Sequence, residues 1–185
     1  MFIQTEETPN PATLKFLPGE GVMPSGTADF PTAQDAKRSP LATALFDIEG
    51  VGGVFFGRDF VSVTKATDED WQLLKPSILG AIMEHFTTGA PLFNDGAGPT
   101  APEASDEDDD EIVIQIKDLL ETRVRPAVAQ DGGDIVFQRF VEGVVYLQLQ
   151  GACSGCPSST ATLKMGIENM LRHYIPEVEA VEAVM

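Results

Sequence analysis

Both cysteines of the chain lie in one short segment, Gly151-Ala152-Cys153-Ser154-Gly155-Cys156-Pro157-Ser158-Ser159. It follows a segment, residues 144–150, in which hydrophobic and polar residues alternate with the period of two that is typical of a half-buried strand. Pro157 suits the first turn of a helix, where its missing N–H costs nothing, and Ser158 or Ser159 can cap that helix. The sequence therefore predicts that its only two cysteines lie in a loop joining a strand to a helix.

The segments around this loop predict a small domain in αββαβ order, and a chain of about 75 residues is long enough to fold alone. The predicted elements are a helix over residues 112–124 that ends near Pro126, a turn at 131–134, strands at 135–141 and 144–150, the helix after Cys156, and a strand near 178–184. The last helix is expected to bury a stripe of Leu163, Ile167, Met170, Leu171 and Tyr174, with Met165 in or near it as a core residue.

The first half of the chain predicts a second domain of mixed α and β structure. A hairpin-like start is expected from residues 2–5 and 13–17, followed by a long loop over 18–31 that is rich in glycine and proline. Ser39-Pro40 is predicted to open a helix. Strands at 51–56 and 60–65 and a long helix with Leu74, Ile78, Ile82 and Phe86 on one face complete the prediction.

The composition changes sharply between these halves. Residues 89–111 begin with glycine, alanine and proline and end with six consecutive acidic residues, 106–111. Such a segment builds no core and extends by charge repulsion, so it is predicted to be a flexible acidic linker. We therefore predict an α+β fold of two small α/β-sandwich-like domains, residues 1–89 and 111–185, joined by a linker over 90–110.

The charge excludes several classes of function. Twelve basic residues against twenty-nine acidic ones give a net charge of −17, which repels phosphate backbones and anionic lipids. No nucleic acid and no membrane partner is therefore expected, and no apolar run approaches the ~20 residues of a membrane-spanning helix. Residues 1–7 have neither a cationic nor an apolar character, so we predict a cytoplasmic location in a bacterial cytosol, where thiols stay reduced.

The spacing of Cys153 and Cys156 is compatible with four kinds of chemistry. A dithiol–disulfide oxidoreductase uses one cysteine to attack and the other to resolve, although this pair lies far from the start of a thioredoxin-like pattern. A zinc or iron–sulfur site needs four ligands, so two chains on a two-fold axis would each supply one pair. Transfer of copper(I) is a third interpretation. A buried core pair is a fourth, but a glycine-flanked loop before a helix is expected to be exposed and to favour the thiolate.

Several motifs add a family resemblance that covers nearly the whole chain outside the linker. Residues 151–160, with Leu163-Lys164 and the preceding Asp131-Gly132-Gly133-Asp134, resemble the C-terminal domain of the NifU-like (Nfu) iron–sulfur cluster scaffold and carrier family. Four further segments resemble the N-terminal domain of that family. They read Thr8-Pro9-Asn10-Pro11, Leu14-Lys15-Phe16-Leu17-Pro18, Phe55-Phe56-Gly57-Arg58-Asp59-Phe60 and Val61-Ser62-Val63-Thr64.

The resemblance implies that Cys153 and Cys156 of two subunits together bind a labile [4Fe–4S] cluster. It also implies a homodimer formed through the cluster, with apo iron–sulfur client proteins and the cluster assembly machinery as partners. The same thiolates would also suit a [2Fe–2S] cluster or zinc. No catalytic turnover is predicted, because no P-loop, dinucleotide fingerprint or nucleophile–base pair is present.

Other residues that attract attention have simpler interpretations. His85 and His173 each stand alone and are predicted to lie on helix surfaces. Asp131 and Asp134, separated by two glycines, are predicted to be turn and cap residues rather than a pair of catalytic carboxylates.

Overall fold

The computed structural model describes residues 1–66, 68–94, 110–154 and 157–184. The chain divides into two compact units, Met1–Ala101 and Pro102–Met185. Each unit has its own hydrophobic core and combines helices with a β-sheet, so the prediction of an α+β fold with two domains is confirmed. None of the helices in the described ranges is long and apolar enough to cross a membrane.

The first unit contains a five-stranded antiparallel sheet in the order β1-β2-β5-β4-β3. The predicted hairpin is confirmed, since β1 and β2 pair with Gln4 opposite Leu17. The strands are β1 (Gln4–Glu7), β2 (Thr13–Leu17), β3 (Ala28–Phe30), β4 (Val51–Phe56) and β5 (Val61–Lys65), and the helices are α1 (Ala33–Ala36), α2 (Pro40–Phe46) and α3 (Trp71–Thr88).

The helices of this unit begin at capping residues and pack into one core with the sheet. The Ser39 hydroxyl accepts a hydrogen bond from the N–H of Ala42, and the Asp70 carboxylate accepts one from the N–H of Gln72. Alternate residues of β2, β4 and β5 are buried against the apolar faces of the helices. The members with the largest buried side chains are Phe16, Phe30, Phe56, Leu41, Leu45, Ile78 and Ile82.

The structure corrects two details of the first half. The predicted long loop over 18–31 contains β3, whose Phe30 is fully buried and packs edge-on against Phe56. His85 was expected on the surface of α3 but is only 9% exposed. Both errors have one cause, because burial by a neighbouring element depends on contacts distant in sequence.

Part of the predicted linker packs against the first unit. Leu92 and Phe93 contact its core, and Asn94 donates hydrogen bonds from its backbone N–H to Arg38 O (2.9 Å) and from its side chain to Lys37 O (2.7 Å). Residues 95–109, which include most of the acidic run, lie outside the described part of the chain.

The second unit begins with helical structure that continues past the predicted end at Pro126. It consists of α4 (Glu111–Leu119), a π-helical turn (Leu120–Val124) and α5 (Arg125–Gln130). A proline inside an α-helix lacks an N–H and clashes with the carbonyl four residues earlier, here that of Thr122. Since a π-helical turn hydrogen-bonds to the fifth residue instead of the fourth, the chain passes Pro126 without ending the helix.

The rest of the second unit follows the predicted order. Its sheet has the order β6-β7-β8, with β6 and β7 antiparallel and β7 and β8 parallel. The expected alternation in β7 is confirmed, since Val145 and Leu147 are buried and Tyr146 is half-buried. The elements are β6 (Gly133–Val141), β7 (Val144–Gly151), α6 (Pro157–Tyr174) and β8 (Ala180–Val184).

Helix α6 buries most of the predicted stripe. Ile167 and Leu171 are buried in the core of the second unit, and Leu163 and Met170 pack against it. Tyr174 is exposed instead, with the Arg123 guanidinium over its ring at 5.4 Å. Met165, predicted to be a core residue, is also exposed.

Candidate metal centre

The loop after β7 places Cys153 between a strand end and a helix start, as predicted. Gly151 closes β7 with a left-handed backbone (φ 62°), a conformation that glycine adopts without strain. The N–H of Ala152 then donates to Gly132 O (3.2 Å), and the N–H of Ser154 donates to Gly151 O (3.1 Å). Cys156, the second predicted ligand, lies outside the described residues. Cys153 is thus the predicted ligand whose position the structure gives.

The loop rests directly on the first residues of β6. Gly133 pairs with Gly151 across the sheet. A Cβ atom at position 133 would lie 2.5 Å from the Cys153 Sγ, 2.7 Å from Gln150 O and 3.0 Å from the backbone N of Cys153. Glycine is therefore required at position 133 by the close approach of the cysteine loop.

Cys153 is buried, contrary to the expectation of an exposed thiolate. It is 7% exposed and belongs to the core of the second unit. Burial raises the pKa of its thiol to about 12, and the negative charges of Asp131 and Asp134 add to that effect. In the described conformation the thiol therefore holds its proton at neutral pH, and metal binding at this sulfur would have to release it.

We expect Cys153 to resist alkylation in the native protein. In a Cys156→Ser variant, iodoacetamide should modify Cys153 at pH 8 at least about 100-fold more slowly than in the same variant unfolded in guanidinium chloride, because burial excludes the reagent and disfavours the thiolate. The native rate should rise with pH towards a thiol pKa of about 12. Mass spectrometry over a time course measures both rates, and equal rates at pH 8 would contradict the burial of this thiol.

A buried ion pair lies beside the cysteine loop and was missed by the sequence analysis. Arg125 donates from Nε and Nη2 to the two carboxylate oxygens of Asp134 at 2.9 and 2.8 Å, and Asp134 also accepts from the N–H of Ile135 at 2.8 Å. Asp134 is 2% exposed. The hydrogen bond to Asp134 raises the pKa of Arg125, so the guanidinium stays charged. The pair ties the start of α5 to the start of β6, next to the strand residue on which Cys153 rests.

The sequence contains both residues of this pair, but it does not indicate that they contact each other. A carboxylate at the start of a hydrophobic strand is expected to need a cation when it is buried. The preceding helix offers Arg123 and Arg125, and only the position of the helix relative to the strand distinguishes them. The predicted turn role of Asp131 fits its exposed position, whereas Asp134 holds two elements together.

The two histidines lie outside this site. His85 is in the first unit, where burial lowers its pKa, and His173 is exposed near the end of α6 beside Tyr174. Among the residues that the structure describes, no group of three or more histidine, cysteine, aspartate or glutamate side chains is placed to hold a metal ion.

Comparison with known proteins identifies relatives across the whole chain. The family described as "Scaffold protein Nfu/NifU N terminal" matches residues 3–89, and the "NifU-like domain" matches residues 116–182. The human protein named "NFU1 iron-sulfur cluster scaffold homolog, mitochondrial" is 56% identical over 186 residues, covering 100% of this chain and 72% of the human one. "NifU-like protein 4, mitochondrial" of Arabidopsis thaliana is 56% identical over 185 residues, covering 98% of this chain and 65% of the relative.

The Drosophila sechellia protein with the same name as the human one is 56% identical over 185 residues, and this chain spans 65% of its length. The solution structure of a NifU-like protein from Saccharomyces cerevisiae is 26% identical, with a TM-score of 0.44, covering 51% of this chain and 86% of that one.

These relatives correct the predicted location. The human, fly and Arabidopsis proteins are all named as mitochondrial, so the prediction of a bacterial cytosolic protein is wrong. That prediction depended on the composition of residues 1–7 alone, and the relatives are longer than the stretch that this chain matches.

The resemblance drawn from the residues is confirmed by both halves of the chain. The matched ranges 3–89 and 116–182 contain all the motifs on which the resemblance was based, and the human relative matches the chain from end to end. On the strength of that identity and coverage, the chain belongs to the Nfu family of NifU-like scaffold proteins.

Proposed function

We propose that this chain is an iron–sulfur cluster scaffold that holds its cluster between two copies of itself and passes it to apo-proteins. The observation that carries the proposal is the single CxxC pair, which lies in the sequence between β7 and α6 of a NifU-like domain. Relatives that match the chain almost completely are named iron–sulfur cluster scaffold homologs. The cluster is the cargo of this activity, and the protein is not expected to catalyse a reaction of its own.

The two-copy arrangement follows from a count of ligands. The sequence contains two cysteines, Cys153 and Cys156, whereas thiolate-bound clusters usually need four. Two chains that each contribute this pair complete the set, and we propose a [4Fe–4S] cluster as the cargo. The same four thiolates would accept a [2Fe–2S] cluster or zinc, and analysis of the bound metal distinguishes these cases.

The environment of Cys153 supports reversible binding of the cluster. Each thiol loses one proton when it binds iron, and it takes up a proton again when a thiolate of a client protein replaces it as the iron ligand. Because Cys153 is neutral and packed in the core of the described conformation, the protein without its cargo has a stable state to return to. The raised pKa of Cys153 also argues against this cysteine as the attacking thiol of a dithiol oxidoreductase, which needs a lowered pKa.

The first unit has a separate role in this proposal. Its sequence contains no cysteine, so it supplies no thiolate to the cluster. We propose that it contacts client proteins or delivery partners, and that the domains extend over 1–89 and 111–185 with a linker over 90–110. The acidic character of the chain would then help to attract partners with basic surfaces.

Anaerobic reconstitution of the full chain with iron and sulfide tests the proposal. We expect about four irons per two chains, an absorption band from thiolate-to-iron charge transfer, and a mass in solution that corresponds to a dimer. Cys153→Ser and Cys156→Ser should each lose the iron, because each dimer would then retain only two of its four thiolates. Ser154→Ala, in the same loop, should bind iron as the unchanged protein does. A colourless protein that reduces disulfides as a monomer would contradict the proposal.

A further inference from the structure

One face of α6 is left open in the second unit, and it begins close to the cysteine loop. Helix α6 starts at Pro157, directly after Cys156, and its buried side contacts the core through Ile167 and Leu171. On the opposite side Met165 is 65% exposed, and a Cβ at Gly166 would meet no atom within 4 Å. The exposed residues of this side between positions 160 and 170, called here the α6 face, are Ala161, Thr162, Met165, Gly166 and Asn169, and the same side ends beyond them at the exposed Arg172.

The α6 face carries no charge, although the helix does. Lys164 is turned to β8, where its Nζ lies 2.8 Å from the Glu182 carboxylate. Glu168 accepts a hydrogen bond from the N–H of Val181 at 3.2 Å and lies 3.7 Å from Arg172. Lys164 and Glu168, the charged residues between positions 160 and 170, are thus paired on the flank of the helix that faces β8, which leaves the α6 face neutral up to Arg172.

Neutrality matters for the identity of the partner. Residues 112–185 contain six Lys or Arg and nine Asp or Glu, a net charge of −3, so two copies repel each other in general. A neutral surface is the region where two like-charged copies approach at the lowest electrostatic cost. An exposed methionine beside a glycine also provides apolar contact and allows close approach of two helices, as interfaces between identical subunits require.

The α6 face lies close, along the helix, to the cysteine loop that would bind the shared cluster. Met165 lies eight residues into α6, about 12 Å along the helix axis from its first residue. Two cysteine loops that bind one cluster on a two-fold axis bring the first turns of both α6 helices to that axis. The α6 face is therefore an exposed helical surface that follows the cysteine loop directly along the chain.

We propose that the α6 face packs against the same face of a second copy, with the two helices crossing at Met165 and Gly166 next to the shared cluster. This inference rests on the proposed function and adds to it the surface that brings the two pairs of cysteines together. The contact is isologous, and because the proposed crossing point lies on the two-fold axis, residue 165 of one copy faces residue 165 of the other.

Opposite charges at one position test this geometry in the full chain. Met165→Asp and Met165→Lys each place two like charges across the axis and should weaken the dimer of the reconstituted protein by about 10- to 100-fold. An equal mixture of the two variants should recover the dimer, because aspartate then faces lysine. Sedimentation equilibrium under anaerobic conditions measures the dissociation constant in each case.

A matched control separates this contact from a general effect of surface charge. Val141 is 47% exposed and lies at the end of the sheet opposite Gly151, about 23 Å away along β7. Val141→Asp should leave the dimer unchanged. If Met165→Asp and Met165→Lys each dimerised as tightly as the unchanged protein, or if their mixture did not recover the dimer, the proposed α6 contact would be wrong. An unchanged protein that binds no iron would instead overturn the proposed function.

Discussion

Gly133→Ala is expected to destabilise the second unit by about 3 kcal/mol, because the added methyl has no space beneath the cysteine loop. Two of the three atoms that it would meet belong to the main chain, Gln150 O at 2.7 Å and the Cys153 N at 3.0 Å. A flexible side chain can move aside, but these atoms are fixed by the pairing of Gly133 with Gly151. The substitution should therefore push the loop away from β6.

The aromatic residues of the chain allow the two units to be followed separately. Both tyrosines, Tyr146 and Tyr174, lie in the second unit, and the single tryptophan, Trp71, lies in the first. In urea unfolding of the full chain, Gly133→Ala should shift the transition reported by tyrosine absorbance and leave the one reported by tryptophan fluorescence unchanged. The same variant should also alkylate faster at Cys153, since the loop no longer covers the thiol.

A second glycine provides the control. Gly80 lies in α3 of the first unit, where a Cβ would meet no atom within 4 Å. Gly80→Ala should stabilise the first unit by about 0.5 to 1 kcal/mol, because alanine favours a helix more than glycine does. If Gly133→Ala unfolded at the same urea concentration as the unchanged protein, the close packing of Cys153 on β6 would not exist in solution.

The sequence predicted those features that depend on local pattern. The alternation of Val145, Tyr146 and Leu147 predicted β7, and Ser39 before Pro40 predicted the start of α2. The loop of Cys153 was also placed correctly between a strand and a helix. Each of these features is determined by residues within a few positions of one another, which is the range over which periodicity and capping act.

The errors concern contacts between segments that are distant in sequence. The burial of Cys153 depends on Gly133, which lies on the neighbouring strand and allows the loop to settle into the core. The glycines within the loop, taken alone, predict exposure, because they give no indication of the contact with β6. The continuation of the helix past Pro126 is an exception, because it depends on a local π-helical turn that carries no clear sequence signal.

Arg125→Met is the substitution expected to have the other large effect, with a loss of about 3 kcal/mol in the free energy of unfolding of the second unit. Methionine retains much of the apolar packing of arginine but removes both hydrogen bonds to Asp134. The almost fully enclosed carboxylate of Asp134 would then lose the guanidinium that balances its charge. Arg125→Lys should lose less, because lysine keeps the charge but lacks the two-pronged geometry.

The cause of this loss can be separated from the loss of packing. In an Arg125→Met/Asp134→Asn double variant the buried charge is gone, while the asparagine oxygen still accepts from the N–H of Ile135. We therefore expect the double variant to recover about half of the stability that Arg125→Met loses. Arg172→Met serves as the control, because its exposed pairing with Glu168 at 3.7 Å should contribute less than about 0.5 kcal/mol.

The pair also has a consequence for the candidate metal centre, because Asp134 follows the glycine on which Cys153 rests. If Arg125 positions β6 beneath the loop, Arg125→Met should raise the alkylation rate of Cys153 under conditions where the protein is still folded, and Arg125→Lys should restore much of the protection. If Arg125 contributed only to stability, Arg125→Met would lower the free energy of unfolding and leave the alkylation rate of Cys153 in the folded protein unchanged. Tyrosine-monitored unfolding and alkylation of the same samples distinguish the two roles, and an Arg125→Met protein as stable as the unchanged one would contradict both.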